Sequence, residues 1–146
     1  MYDILILGAG PAGISAGIYA VSRGQKALVL EQAQVGGIIG KVSTVTHYTA
    51  LENQETGASF AQRMKEQALH AGVEIAYETV TEVDLVGEVK TVRTNKGVHQ
   101  ARRVILANGG TPRKLGIPGE KELSGKGMGM NAARDGAAYT GKNIYV

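Results

Sequence analysis

The strongest constraint on the fold is a glycine-rich turn that directly follows a short apolar segment near the N-terminus. Residues Tyr2–Leu7 form that apolar segment, which is typical of a strand buried on both faces of a parallel sheet. It leads into Gly8, Gly10 and Gly13, spaced as G-x-G-x-x-G, and the pattern then becomes helical. In this context the first glycine permits a tight turn, the second lets a pyrophosphate approach the backbone, and the third allows close helix–strand packing. The pattern therefore predicts a βαβ unit that binds a dinucleotide.

A second predicted strand and an acidic residue complete this unit. The pattern predicts a helix over Pro11–Arg23, ended by Gly24, and a strand over Lys26–Leu30 that ends at Glu31. Glu31 stands 18 residues after Gly13, where a carboxylate accepts hydrogen bonds from ribose hydroxyls and repels a 2′-phosphate. A glycine-rich turn beside a surface glutamate is the plain structural alternative. This G-x-G-x-x-G fingerprint alone does not distinguish a site for FAD from a site for NAD.

The remaining pattern also favours an α/β fold. Alternating apolar residues indicate strands, and apolar residues at helical spacing indicate a second helix. The predicted elements are an ordered loop over 33–56, a helix over Gly57–Ala71, a β-meander over 73–97, a strand over Arg103–Ala107, a turn-rich connector over 111–136 and a strand that begins at Ile144.

The composition excludes several kinds of chemistry. None of the 146 residues is Cys, which removes disulfides, a thiolate nucleophile, a zinc ribbon and a dithiol redox pair, and we predict no metal site. The formal net charge is +3, with scattered basic residues, so no nucleic acid partner is predicted. No apolar run approaches the ~18 residues of a membrane span, and no secretory leader is recognisable. We therefore expect no membrane partner and a cytoplasmic location.

Further motifs support a more specific interpretation. They are Gly36-Gly37-Ile38, Val45-Thr46-His47-Tyr48, Ala107-Asn108-Gly109, the segment from Pro112 to Glu120, Gly125-Lys126-Gly127-Met128 and Asp135-Gly136. With the N-terminal fingerprint, this ordered set resembles the first half of a low-molecular-weight thioredoxin reductase, over essentially the whole chain. The resemblance implies a Rossmann-like FAD-binding domain with a β-meander insertion over residues 1–115. It also implies that residues 116–146 are a connector and the truncated start of a nucleotide-binding domain.

The resemblance also implies which residues contact the cofactor, FAD. The glycine turn would hold the pyrophosphate, Glu31 the adenosine ribose, and the backbone at Val80 would lie along the adenine. The implied contact residues are Gly8, Ala9, Gly10, Pro11, Ala12, Gly13, Glu31, Gln32, Gly37, Ile38, His47, Val80, Ala107, Asn108 and Gly109. NAD(P)H would be the reductant, bound through a second fingerprint in a domain that these residues do not include.

The chain departs from the family where the redox-active Cys-x-x-Cys is expected. Asn131 and Arg134 stand at the two cysteine positions, and neither side chain can perform thiol–disulfide exchange, which needs a thiolate. Arg134 is either an anion contact or a solvated side chain. Asp135, the family's acid beside the cysteine pair, is a weak catalytic candidate, and its alternative role is to cap a turn with Gly136.

Other departures lie on the expected flavin side. Ile38 stands where the family usually has Gln, and Asn108 where it usually has Thr. His47 replaces an Asn before the aromatic residue. This histidine either bonds a flavin or ribityl oxygen, which also makes it a weak catalytic candidate, or is an ordinary loop residue.

The second half of the family fold is absent from this sequence. We therefore expect either a fragment of a longer protein or a chain completed by another one. An incomplete sheet exposes unpaired edges and an apolar face, so assembly with a complementing C-terminal chain, or poor solubility, is expected. The family suggests a homodimer.

The leading hypothesis is that the chain is the FAD-binding portion of an oxidoreductase that passes electrons from NAD(P)H through flavin to an unidentified acceptor, without a dithiol. The alternative is a non-catalytic module or subunit that binds FAD or another dinucleotide.

Overall fold

The structure, a computed structural model, describes residues 1–111, 113–129, 132 and 136–145. Residues Met1–Gly110 form one compact unit and Thr111–Val146 form another. The strands are β1 (Tyr2–Leu7), β2 (Ala27–Glu31), β3 (Glu74–Tyr77), β4 (Val80–Asp84), β5 (Lys90–Thr94) and β6 (Val98–Leu106). The helices are α1 (Pro11–Ser22), α2 (Gly57–His70) and α3 (Glu120–Leu123), with 3₁₀ turns at Ile39–Lys41 and Gly136–Tyr139. The assignment of residues 1–115 and 116–146 to separate functional domains stays a prediction.

Within the described residues, the strands form one sheet in the order β3-β2-β1-β6-β5-β4. Strand β1 pairs in parallel with both β2 and β6, and β2 pairs in parallel with β3. Strands β4, β5 and β6 are antiparallel neighbours. Ala101 of β6 lies opposite Tyr2 of β1 and also opposite Lys90 of β5, so β6 joins the two parts of the sheet. The predicted α/β, Rossmann-like fold is confirmed.

Two details of the predicted sheet are wrong. Residues 74–77 do not belong to the meander, because β3 pairs in parallel at the edge of the sheet. The two apolar side chains of β3 contact two separate hydrophobic clusters, Ile75 one and Ala76 the other. The alternation of apolar and polar residues along one strand shows that the strand is half buried, but it does not show whether its neighbour is parallel or antiparallel. Strand β6 begins at Val98 instead of Arg103, because its first residues pair with β5.

The strand predicted to begin at Ile144 is not observed. Ile144 and Tyr145 are exposed and lie outside regular structure, and Val146 lies outside the described residues. An apolar run forms a strand only where a neighbouring strand pairs with its backbone, and no described strand pairs with Ile144 or Tyr145.

Helix α1 packs closely on the sheet because its inward face carries small residues. Pro11 begins the helix, and Gly24, with φ of +72°, follows its end. A Cβ atom at Gly17 would lie 3.0 Å from a methyl group of Val73 and 3.2 Å from one of Val29. This glycine therefore sets the distance between the helix and the sheet. Among the described residues, no helix is long and apolar enough to cross a membrane.

Strands β1 and β2 are buried on both faces, and each face belongs to a separate cluster. Ile6 and Val29 belong to the cluster that includes buried residues of α1 and α2. Leu5 and Leu28 belong to the other, which includes Val92 of β5. Val80 of β4 also packs against this second cluster, so the meander supplies apolar cover that a simple βαβ repeat would take from another helix.

In the second unit, local hydrogen bonds hold the segment that leads into α3. Glu120 at the start of α3 accepts hydrogen bonds from the backbone N–H groups of Leu115 and Gly116, at 3.0 and 2.8 Å. These two bonds lower the pKa of Glu120. Leu115 and Ile117 are exposed, so the described part of this unit has little apolar core of its own.

The loop between β2 and α2 is fastened to α2 by a buried carboxylate. Glu55 is 4% exposed and accepts hydrogen bonds from Ser59 and from the guanidinium of Arg63. Its backbone carbonyl accepts a bond of 2.8 Å from the N–H of Val45. The hydrogen bond from Ser59 is the largest cause of a lowered pKa for Glu55, and the charge of Arg63 acts in the same direction.

This lowered pKa predicts a loss of stability in acid. A carboxyl group whose pKa is lower in the folded state stabilises the fold above its unfolded pKa, and that contribution disappears as the pH falls through the folded value. We expect Glu55→Gln to reduce the free energy of unfolding at pH 7 and to flatten its decline below the ordinary value of 4.5. Urea unfolding at several pH values tests this, with Glu66→Gln, at an exposed position of α2, as the control. Equal pH dependence in both variants would contradict it.

Candidate functional site

The described unit Met1–Gly110 contains a cavity of about 390 Å³ at the carboxyl ends of its parallel strands. In open α/β sheets this is the edge at which ligands bind. It is lined by residues from the ends of β1, β2 and β6, from the β3–β4 connection and from the start of β4. They are Leu7, Gly8, Leu30, Glu31, Gln32, Glu78, Val80, Leu106 and Asn108.

The glycine turn beside this cavity has one open position between two closed ones. Gly8 has φ of +105°, and a Cβ atom there would lie 2.4 Å from the carbonyl oxygen of Ala107. A Cβ atom at Gly13 would lie 1.9 Å from the carbonyl oxygen of Gly8. At Gly10, by contrast, a Cβ atom would meet nothing within 4 Å. Gly8 and Gly13 are therefore required by packing, whereas Gly10 leaves space over the turn that a ligand can enter.

The N-terminus of α1 faces this turn without a protein cap. Gly10 is the N-cap residue, no side chain caps the helix, and Pro11 contributes no N–H group. The free N–H groups of the first helical turn carry a partial positive charge. Together with the space over Gly10, they form a site suited to an anion such as a pyrophosphate.

The Gly36–Gly37 loop lies against the same turn. The N–H of Gly36 donates a hydrogen bond of 2.9 Å to the carbonyl of Ala9. A Cβ atom at Gly37 would lie 3.5 Å from the Cα of Gly10. The loop that carries Gly37 therefore closes one side of the glycine turn.

Glu31 performs a structural task that the sequence analysis missed. It is 9% exposed, and its Oε2 accepts a hydrogen bond of 2.9 Å from the N–H of Ala9 in the glycine turn. Its Oε1 accepts one of 2.8 Å from the N–H of Ala33. A carboxylate has roughly four lone-pair positions, so these two bonds leave acceptor capacity for ribose hydroxyls. The same side chain thus fastens the turn to β2 and faces the cavity.

The structure brings several predicted contact residues into one cavity wall. Gly8, Glu31, Gln32, Val80 and Asn108 all line it. The N–H of Ala107 donates to the carbonyl of Leu7 at 2.9 Å, which extends the β1–β6 ladder to this point.

Glu78 is a lining residue that the sequence analysis did not identify. The one indication of this role in the sequence is that Glu78 stands between two predicted strands, two residues before Val80. This signal is weak, because a glutamate between strands is usually solvated.

Other predicted residues lie elsewhere. His47 is exposed, its Nδ1 lies 2.7 Å from Thr46 Oγ1, and neither it nor Ile38 lines the cavity. The adjacent Tyr48 packs on Phe60 of α2 with ring centroids 5.0 Å apart. The roles of His47 and Ile38 stay predictions. Asn131, Arg134 and Asp135 lie outside the described residues.

A second cavity, of about 420 Å³, lies between α1 and α2. Its one charged lining residue is Arg63, which pairs with Glu55 and Glu52. With no glycine turn or helix N-terminus in its wall, this cavity lacks the features that bind a dinucleotide. Within the part of the chain that the structure describes, no group of three or more His, Asp or Glu side chains could hold a metal ion.

Comparison with known proteins agrees with this geometry. Residues 2–142 match the family described as pyridine nucleotide-disulphide oxidoreductase. The chain is 40% identical to a thioredoxin reductase of Mycolicibacterium smegmatis over 146 residues, covering 100% of this chain and 47% of that protein. It is 37% identical to a thioredoxin reductase of Peptoclostridium acidaminophilum, again over 100% of this chain and 46% of the relative.

A solved structure shows the same fold. The crystal structure of Lactococcus lactis thioredoxin reductase (FR conformation) superposes with a TM-score of 0.84 at 34% identity, covering 95% of this chain and 46% of that one. The chain therefore spans about half the length of the curated relatives that it matches. Both the sequence match over residues 2–142 and the shared fold lead to one conclusion: this chain belongs to the pyridine nucleotide-disulphide oxidoreductase family.

Proposed function

We propose that this chain is the FAD-binding portion of a flavoprotein oxidoreductase similar to thioredoxin reductases. The observation that carries the proposal is the proximity of three features: open space over Gly10, the uncapped N-terminus of α1, and the carboxylate of Glu31, which lines the cavity and is bonded to the N–H of Ala9 in the same turn. The open space and the helix N-terminus suit a pyrophosphate, and the carboxylate suits a ribose diol.

The residues of the site fit FAD through its ADP half. The N–H groups at the start of α1 would hold the pyrophosphate, Glu31 and Gln32 would contact the ribose, and the backbone at Val80 would lie along the adenine. Gly37 and the segment Ala107-Asn108-Gly109 would flank the remainder of the cofactor. The chemistry that FAD supplies when bound is transfer of a hydride from NAD(P)H and then of electrons to an acceptor.

The electron acceptor of the intact protein is a separate part of the proposal. Since none of these 146 residues is Cys, this segment supplies no dithiol, and electrons would leave the flavin for an acceptor that is not a disulfide of this segment. The nicotinamide nucleotide would bind to the part of the family fold that these residues do not include. We propose a cytoplasmic location.

Exposed apolar surface supports assembly with further protein. Leu106, at the end of β6, is 60% exposed, and Ile105 is 37% exposed. Strands β3 and β4 each have one unpaired edge within the described sheet. We propose that a C-terminal half, in the same chain or in another, covers the end of β6, and that the complete protein is a homodimer as in the family.

The absence of Cys also favours a second candidate, a module that binds FAD or another dinucleotide without catalysis. The two functions differ in turnover. An oxidoreductase completed by its missing half oxidises NAD(P)H in the presence of an artificial electron acceptor, at a rate that depends on bound FAD. A non-catalytic module retains FAD and shows no such turnover.

We predict that Gly10→Val abolishes FAD binding, because its side chain occupies the open space over the turn. The purified chain, mixed with excess FAD and passed through a desalting column, should retain the flavin absorption band, and the variant should lose it. Gly136→Val is the matched control, because Gly136 also has nothing within 4 Å of a Cβ atom but is not one of the residues that line the cavity. Retention of the band by Gly10→Val would show that FAD does not bind at this turn.

We predict that Glu31→Ala weakens FAD binding and also destabilises the fold, because the side chain holds the N–H of Ala9 as well as facing the cavity. Loss of charge-assisted hydrogen bonds costs about 1.5–3 kcal/mol, or about a tenfold to hundredfold increase in Kd. Titration of flavin fluorescence and thermal unfolding without FAD measure the two effects. Glu88→Ala, at an exposed position of the β4–β5 connection, should change neither quantity. An unchanged Kd for Glu31→Ala would contradict the assignment of the ribose to this carboxylate.

A further inference from the structure

The connection between β3 and β4 is bonded to the hairpin that β5 and β6 form. Glu78 Oε2 accepts a hydrogen bond of 2.6 Å from Thr94 Oγ1 and lies 2.8 Å from His99 Nε2. The N–H of Thr79 donates to the Asn95 side chain at 2.9 Å, and the N–H of Asn95 donates back to the Thr79 carbonyl at 3.0 Å. We call these five residues the clasp.

Two more bonds surround the clasp. Lys96 Nζ donates to the carbonyl of Tyr77 at 2.7 Å. The N–H of Glu78 donates to the carbonyl of Glu31 at 2.8 Å, so the clasp is bonded to the acidic residue of the candidate site. The three residues from 77 to 79 are thus fixed on both sides, by the hairpin and by β2.

The central pair of the clasp is largely removed from solvent. The side chains of Glu78 and His99 are 14% and 21% exposed. The hydrogen bond from Thr94 is the largest cause of the lowered pKa of Glu78, followed by the bond from His99. A carboxylate in such a place is costly unless it is paired, and a fully satisfied polar network holds a single conformation.

The clasp forms part of the wall of the candidate site. Glu78 and Val80 line the same cavity as Glu31 and Gln32, and Thr79 between them has both of its backbone groups bonded to Asn95. Any movement of this wall would break the bonds of the clasp. A wall that is ordered before the ligand arrives avoids the entropic cost of ordering it on binding.

We propose that Glu78 is a positioning residue for the adenosine end of the cofactor: bonded to Thr94 and His99, it fixes the wall formed by residues 78–80. This inference rests on the proposed function, since that function places adenine along the backbone at Val80. It adds a residue whose role is to orient the backbone at Val80, and it assigns the hairpin of β5 and β6 a role in nucleotide affinity.

The test compares Glu78→Ala, Glu78→Gln and Glu82→Ala in the 146-residue chain. Gln keeps an oxygen that accepts bonds from Thr94 and His99, so it should restore what Ala loses. Glu82 is the matched control, a glutamate of β4 that pairs with Arg93 on the exposed surface and lines no cavity found among the described residues. The Kd values of FAD and of ADP, which carries the adenosine without the flavin, are measured by calorimetry. Amide exchange at Thr79 and Val80 is measured without ligand.

We expect Glu78→Ala to weaken both FAD and ADP by about tenfold and to speed exchange at Val80, with Glu78→Gln and Glu82→Ala close to the unsubstituted chain. Unchanged Kd values in Glu78→Ala would overturn the proposal. Equal losses in Glu78→Gln and Glu78→Ala would also overturn it, because the hydrogen bonds would then not be the cause. If the unsubstituted chain binds neither FAD nor ADP, the proposed function is overturned, and the role of Glu78 at the adenosine end is overturned with it.

Discussion

The close contact among β1, α1 and β6 at the glycine turn is the constraint on which the rest of the structure depends. A side chain at Gly8 would meet the carbonyl of Ala107, and one at Gly13 would meet the carbonyl of Gly8. Because no side chain fits at either position, the start of α1 lies directly over the ends of two strands. This arrangement places the uncapped N-terminus of α1 next to Gly8, which lines the cavity, and leaves Gly10 as the open position. The same backbone packing therefore closes the core and forms the candidate anion site.

Glu31 links this turn to the rest of the sheet. Its carboxylate accepts from Ala9 and Ala33, and its backbone carbonyl accepts from Glu78 at the start of the clasp. A buried charge is tolerated here because backbone N–H groups surround it. One residue therefore connects the pyrophosphate end of the candidate site to the adenine end through its side chain and its backbone.

The first βαβ unit could be predicted almost entirely from the sequence, because its signals are local. The apolar run before Gly8, the glycine spacing and Gly24 each act within a few residues. The place of β3 and the start of β6 at Val98 could not be predicted in this way, since both depend on which distant strands pair. The clasp was missed for the same reason: Glu78 and His99 are 21 residues apart in sequence, and each alone is an unremarkable polar residue.

The two ends of the candidate cofactor site differ in how completely these residues form them. The turn at Gly10, the carboxylate of Glu31 and the wall at Val80 all belong to the compact unit Met1–Gly110 and are held by several bonds each. Of the residues expected on the flavin side, Asn108 lines the cavity, whereas Ile38 and His47 are exposed and do not line it. The contacts that the described residues offer are therefore concentrated at the turn, the carboxylate and the wall, where the ADP half of FAD is proposed to bind.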